Sequence, residues 1–305
     1  MPDPTPNLVP DYDLVRHTLA TGVEIDAVDV GPRDAPVLLF LHGFPESHRT
    51  WRHQIEHFKD RFRCIAPDQR GYRGSSKPQE VEAYTPDKLV ADVFALADAC
   101  GVDRFTVVGH DWGGAIAWAV ALAGQQNGRV ERLVIANAPH PWLYQRALIQ
   151  RPQQRESAQY IRAFRDRDND ALVREHGLVG ILAKAVKWER SSAMPDEERD
   201  RLLADWKDRD AAFGMLNWYR ASSVHVPAMD EDAELPEFAK RDFPKVTIPT
   251  LVVWALDDLA LPPVNTEGMD EQVQDLTLVD VPGSGHFVPW EAPDKVIDAM
   301  EAFLG

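Results

Sequence analysis

Gly109-His110-Asp111-Trp112-Gly113 follows directly on the apolar run Phe105-Thr106-Val107-Val108 and leads into Ala115-Ile116-Ala117-Trp118-Ala119-Val120. A β-branched run that breaks at closely spaced glycines and resumes with helical composition predicts a strand, a sharp turn and a helix. This is the setting of a nucleophile elbow, a strained turn that lifts one side chain above the end of a sheet. The lifted side chain here is Asp111. A carboxylate with an ordinary pKa of about 3.9 is ionised at neutral pH and needs no base to attack. Its attack on an sp³ carbon gives an ester, which suits ring opening or displacement rather than acyl transfer. Read alone, the string also fits an Asp capping a glycine-flanked helix start.

Outward from the elbow, further apolar runs suit strands buried on both faces: Val37 to Leu41, Cys64 to Pro67, Leu133 to Ala136, Thr250 to Trp254 and Leu276 to Val279. Helical spacing occupies Trp51 to Phe62, Pro86 to Cys100 with Leu89, Val93, Leu96 and Ala97 on one face, and Pro293 to Phe303. Such alternation predicts an α/β fold, a doubly wound and mostly parallel sheet. Residues 139–240 interrupt it with helical stretches such as Glu197 to Lys207 and no strand-like run. The expected division is a core in two parts, residues 1–138 and 241–305, with an inserted helical cap over residues 139–240. Ligands of such sheets bind at the C-terminal strand ends, so an insertion there lies over the site as a lid.

Composition narrows the function. The 305 residues are 44% hydrophobic and 27% charged, ordinary for a globular protein. The net charge of −16, without a basic run, argues against nucleic acid or an anionic lipid surface as partner. No stretch approaches the ~18 apolar residues of a membrane span. Met1-Pro2-Asp3-Pro4-Thr5-Pro6 has neither a basic start nor an apolar segment, so no secretory signal and a cytoplasmic location are expected. Cys64 and Cys100 read as structural thiols. Metal-ligand spacing, a phosphate loop and a dinucleotide fingerprint are all missing, so neither metal nor cofactor is expected. The oligomeric expectation is a monomer or homodimer.

Two further residues complete a constellation. Asp258 lies just beyond the run Thr250 to Trp254, and His286 lies in Pro282-Gly283-Ser284-Gly285-His286-Phe287, just past the last strand. Asp111, Asp258 and His286 thus follow the nucleophile–acid–histidine order of elbow hydrolases, each at a strand end. His42-Gly43-Phe44-Pro45 follows the first buried strand, where the backbone N–H of Phe44, with that of Trp112, is expected to form an oxyanion hole. In isolation, that string is also an ordinary Gly-Pro turn.

Together, His42-Gly43-Phe44-Pro45-Glu46-Ser47, Asp68-Gln69-Arg70-Gly71-Tyr72, Gly109-His110-Asp111-Trp112-Gly113-Gly114 and Gly285-His286 resemble the epoxide hydrolase branch of the α/β-hydrolase superfamily. The resemblance spans nearly the whole chain and is closest outside the cap. It implies a small apolar epoxide and water as substrates, a covalent ester on Asp111, and hydrolysis of that ester by water activated by His286 and Asp258. It also implies two cap tyrosines that donate to the ring oxygen, which a protonated phenol can do and a carboxylate cannot. Met215-Leu216-Asn217-Trp218-Tyr219-Arg220 resembles the second tyrosine's motif, so Tyr219 takes that role. Tyr160, in Ala158-Gln159-Tyr160-Ile161-Arg162-Ala163-Phe164, takes the first, with Tyr144 as its alternative. His42, Trp112, His140 and Trp218 are expected to line the substrate. The Asp-Trp elbow is shared with haloalkane dehalogenases, which need a second N–H donor for the halide. Phe44 occupies one position that supplies it, leaving Trp142, Trp188, Trp206 and Trp218 as candidates. Fluoroacetate-type dehalogenases carry Arg after the nucleophile, where this chain has Trp112. A third reading, a non-catalytic ligand-binding protein, has no need of an intact triad.

Overall fold

In a computed structural model that describes residues 11–185 and 194–305, the apolar runs line up side by side in one sheet. Its strands are β1 (Val15–Thr18), β2 (Glu24–Val30), β3 (Val37–Leu41), β4 (Arg63–Pro67), β5 (Phe105–His110), β6 (Val130–Ala136), β7 (Thr250–Ala255) and β8 (Leu276–Val281). They lie in the order β1-β2-β4-β3-β5-β6-β7-β8. The pairs from β4 across to β8 are parallel, while β1 and β2 join antiparallel at one edge. β1 and β2 were not expected from the sequence. Each of the six expected strands is present, several one or two residues longer than its apolar run.

Both faces of the central strands are covered. Helices α1 (Arg52–Phe58), α2 (Pro86–Ala99) and α3 (Asp111–Gly124) follow β3, β4 and β5. Successive side chains alternate, so Leu39, Leu41 and Val107 join one buried cluster with α2 and α3, whereas Leu38, Phe40 and Val108 join another with α1. The helix expected over Trp51 to Phe62 is shorter. It opens with a 3₁₀ turn at His48–Trp51, and α1 ends at Phe58, whose carbonyl then accepts from the Arg61 and Phe62 N–H groups as the chain turns into β4.

Between β6 and β7 the described residues form helices and no strand. These are α4 (Pro141–Gln150), α5 (Pro152–Ser157), α6 (Gln159–Arg165), α7 (Asp170–His176), α8 (Leu178–Ala185), α9 (Asp196–Asp205), α10 (Arg209–Ala221) and α11 (Glu237–Lys240). The sheet side is completed by α12 (Met269–Gln272), α13 (Val288–Glu291) and α14 (Pro293–Leu304). The inserted helices are seated by indole donors: Trp206 Nε1 reaches the Pro45 carbonyl at 2.7 Å and Trp218 Nε1 the Arg70 carbonyl at 2.9 Å. After α10, residues 222–227 run as a strap without sheet partners, bonded instead by side chains. Gln145 pairs with both the N–H and the C=O of His225, Arg162 reaches the Val226 carbonyl, and Gln159 the Pro227 carbonyl.

The elbow joins β5 to α3. Asp111 sits at φ 49°, in the left-handed region that costs an L residue of order 1–3 kcal/mol. Close packing underneath holds it there. A Cβ on Gly114 would lie 2.2 Å from the Ala138 Cβ, so α3 meets the chain after β6 with no room for a methyl group. Gly114→Ala is therefore expected to lower stability by about 1–3 kcal/mol through overpacking, even though alanine gains about 1 kcal/mol of helix propensity over glycine. Urea unfolding checks the sign, and an unchanged or raised midpoint would show that Ala138 yields freely.

Candidate active site

The ends of β3, β5, β6 and β7 bring together residues that are far apart in sequence. Asp111 leaves the end of β5, and its Oδ1 accepts a 2.7 Å hydrogen bond from the backbone N–H of Phe44, in the loop after β3. The Trp112 backbone N–H also bonds to this carboxylate. Its other oxygen, Oδ2, faces His286 Nε2 at 3.5 Å. Gly43 permits this approach, since a Cβ there would come within 2.5 Å of the Asp111 Cβ. Both side chains keep a small opening, 12% of Asp111 and 16% of His286, enough for a bound molecule to reach them.

His286 is held from behind. Its Nδ1 lies 2.7 Å from Asp258 Oδ2, which also accepts from Asn137 Nδ2 at 2.7 Å. Asp258 Oδ1 accepts the backbone N–H groups of Ala260 and Leu261 at 2.8 and 2.9 Å. Asn137 ties the ends of β6 and β7 together as well, its Oδ1 accepting from the Ala255 N–H. Nothing in the sequence pointed to Asn137.

These contacts set the charges. Burial opposes a positive His286, but the Asp258 carboxylate and hydrogen bonds to Asp111 and Asp258 outweigh it and raise the imidazole well above its ordinary value. Burial likewise opposes the Asp111 anion, yet the hydrogen bond and charge of His286, with the Trp112 N–H, keep the carboxyl below its ordinary range. Each of the two groups thus favours the charged form of the other. Beneath it, burial lowers His110 to about 4, and its Nε2 contacts the His286 carbonyl at 2.8 Å. Burial raises Glu46, 3.9 Å from His110, to about 7 against hydrogen bonds from Thr50 and Trp290.

Tyr219 on α10 and Tyr160 on α6 come down over the carboxylate. Their rings lie 6.1 Å apart at 78°, with Tyr219 edge-on to Phe44 at 4.9 Å and to Trp112 at 5.0 Å. Burial and the Asp111 charge raise both phenols well above 10, helped at Tyr160 by Tyr144 and at Tyr219 by Tyr160, while hydrogen bonds from Tyr219 to Tyr160 and from Trp112 to Tyr219 pull the other way. Both hydroxyls keep their protons. Tyr144 on α4 also feels the Asp111 charge.

Three residues expected to line the substrate have other employment. His42 is fully buried; the Gln69 N–H donates to its Nε2 at 3.1 Å, Nδ1 contacts the Gly43 carbonyl, and its ring abuts Tyr72. It braces the loop that presents Phe44. His140 is wedged between Trp118 and Phe243, with neither ring nitrogen hydrogen-bonded. Trp218 is buried behind Trp112 and spends its indole N–H on the Arg70 carbonyl. The indole donors of Trp142 and Trp206 are likewise spent, on the carbonyls of Arg241 and Pro45. Trp188 lies outside the described residues.

Comparison with known proteins identifies the family. A family described as alpha/beta hydrolase fold matches residues 36–293. The chain is 32% identical to the AB hydrolase superfamily protein YfhM of Bacillus subtilis, over 93% of this chain and 95% of that one. It is 29% identical to epoxide hydrolase 2 of Caenorhabditis elegans, over 92% and 77%. Among solved structures, it is 64% identical, with a TM-score of 0.92 and coverage of 97% and 99%, to an epoxide hydrolase of the same superfamily from metagenomes of hot environments. A mutant epoxide hydrolase from Bacillus megaterium, complexed with its diol product, is 26% identical with a TM-score of 0.83, over 95% and 99%. The chain belongs to the α/β-hydrolase superfamily and, within it, to the epoxide hydrolase family.

The paired charges predict a pH response. Folding raises His286 above its unfolded value of 6.5, so its contribution to stability is complete below that pH and fades as pH rises through the folded value. Removing the charge on one side with Asp111→Asn is expected to lower the imidazole by about one unit or more. NMR titration of the His286 ring in both proteins checks it. Coincident curves would mean that Asp111 does not hold the proton there.

Proposed function

We propose that this protein hydrolyses an epoxide to a vicinal diol through an alkyl ester on Asp111, beneath a cap of residues 139–240. One observation carries the reading: the two Asp111 oxygens have different surroundings. Oδ1 is held by the Phe44 N–H at 2.7 Å, while Oδ2 lies 3.5 Å from His286 Nε2 and accepts no backbone hydrogen bond from Phe44. Oδ2 attacks a ring carbon, and Tyr160 and Tyr219 give a proton to the ring oxygen as the bond breaks.

Forming the ester cancels one of the two negative charges that hold the His286 proton. The imidazole's proton affinity falls, and the proton it sheds restores the phenol, so the step is balanced in charge. The neutral His286, oriented by Asp258, then takes a proton from water, and the hydroxide attacks Cγ of the ester. Charge collects on Oδ1, where the N–H groups of Phe44 and Trp112 receive it. Breaking the Cγ–Oδ2 bond expels an alkoxide, which takes the proton of the new carboxylic acid; the diol departs, leaving carboxylate and imidazolium as at the start. Halide displacement would need a second N–H donor at the leaving atom, and the donors of Trp142, Trp206 and Trp218 are engaged elsewhere.

The origin of the product oxygen tests the ester. One turnover of excess enzyme with styrene oxide in ¹⁸O-water is expected to give unlabelled diol, with the label in the peptide that contains Asp111. Label in that first diol would mean direct attack by water. His286→Gln is expected to form the ester and not hydrolyse it, seen as an intact mass increased by one substrate. Turnover at the wild-type rate would remove His286 as the base.

The tyrosines are tested separately. Tyr219→Phe keeps the ring and removes the donor, so ring opening is expected to slow by about 10²–10³-fold, with Tyr160→Phe acting in the same direction. Undiminished diol formation by the double variant in a steady-state assay would exclude them as donors.

A further inference from the structure

The two tyrosines sit on different helices, and each helix ends at an arginine-bound terminus. An α-helix leaves its last four carbonyls without partners. In α10, the orphan carbonyl of Tyr219 itself is taken by Arg165 Nε at 2.8 Å, and the same guanidinium reaches the carbonyls of Val224 at 2.7 Å and Ser222 at 3.2 Å. Arg165 is the last residue of α6, the helix that carries Tyr160. The arrangement is reciprocal. Arg220, next to Tyr219, sends Nε back to the Phe164 carbonyl in the last turn of α6 at 3.1 Å, and bonds Asp170 at the start of α7. The Arg220 side chain is only 3% exposed.

A planar guanidinium can meet several fixed carbonyls at once, whereas an ammonium acts as a single compact charge. Two such forks, each rooted on one helix and bonded to the other's end, fix both the separation and the rotation of α6 against α10. We infer that Arg165 and Arg220 form a reciprocal clamp that sets the spacing of the Tyr160 and Tyr219 hydroxyls over Asp111. They are positioning residues for ring opening. The inference rests on the proposed role of the tyrosines as proton donors to the ring oxygen. Because those tyrosines serve only the first step, a loosened clamp slows ester formation and leaves ester hydrolysis alone.

The test separates the two steps. Arg165→Met, Arg165→Lys and Arg220→Lys are mixed rapidly with styrene oxide, following ester formation and decay by tryptophan fluorescence and by quenched intact mass. Displacements of the order of 1 Å cost about 100-fold in rate, so Arg165→Met is expected to slow ester formation by about 10- to 100-fold while ester decay changes less than about twofold. Arg165→Lys is expected to lie between it and the wild type. The ratio of the two rate constants does not depend on the folded fraction, so a merely structural role would leave it unmoved. Should Arg165→Met fail to fold, the two lysine variants carry the same comparison. In a Tyr219→Phe background, Arg165→Met is expected to add little further loss. A wild-type protein that forms no ester overturns the proposed function. A wild-type protein that forms it, beside clamp variants with an unchanged ratio or a fully additive loss with Tyr219→Phe, overturns the clamp alone.

Discussion

A histidine held between two carboxylates, largely withdrawn from water, is the constraint on which the rest of this structure depends. Bringing such charges under cover costs several kcal/mol per ion unless each is paired and hydrogen-bonded. Here every charge is answered: Asp258 by two backbone N–H groups, Asn137 and His286, and Asp111 by the Phe44 N–H and His286. Those partners come from the ends of β3, β6 and β7 and the loop past β8, which only a parallel sheet brings to the same edge. The glycine-lined elbow and the left-handed Asp111 follow from the same demand, since a relaxed turn would carry the carboxylate away from its donors.

The cap answers a different need. The sheet edge supplies the proposed nucleophile and base, but its own phenol, that of Tyr72, is buried beside His42. The proton donors proposed for the ring oxygen come instead from α6 and α10, surrounded by Phe44, Phe164 and Trp112. Aromatic edges around the phenols exclude water and keep both hydroxyls protonated far above neutrality. An apolar enclosure and an acidic proton are thus provided by the same side chains.

Much of this was legible in the sequence because each triad residue stands immediately past an apolar run. Strands buried on both faces read as such runs, and β3, β5 and β7 were plain. β1 and β2 were not. They lie at an edge, where Val15–Thr18 is largely exposed and only the alternation through Glu24-Ile25-Asp26-Ala27 marks β2. Residue type also says nothing of where a ring nitrogen points. His42, His140 and Trp218 suit a binding pocket by type, and their nitrogens turn out to brace a loop, sit bare in an aromatic wedge, or seat a helix. Tyr144 and Tyr160 both feel the Asp111 charge, so the choice between them was never one that sequence position alone decides.

The strap over residues 222–227 has an evolutionary consequence. Most of its bonds to α4 and α6 run to main-chain carbonyls, which every amino acid carries. Val226 and Pro227 are buried, but the exposed side chains of Ser223 and His225 are free to change without loosening the helices that carry the tyrosines. Drift at those two positions can remodel the outer surface of the inserted helices while α4 and α6 beneath stay in register. Surface variation and the integrity of the fold beneath it become separately inheritable along this segment.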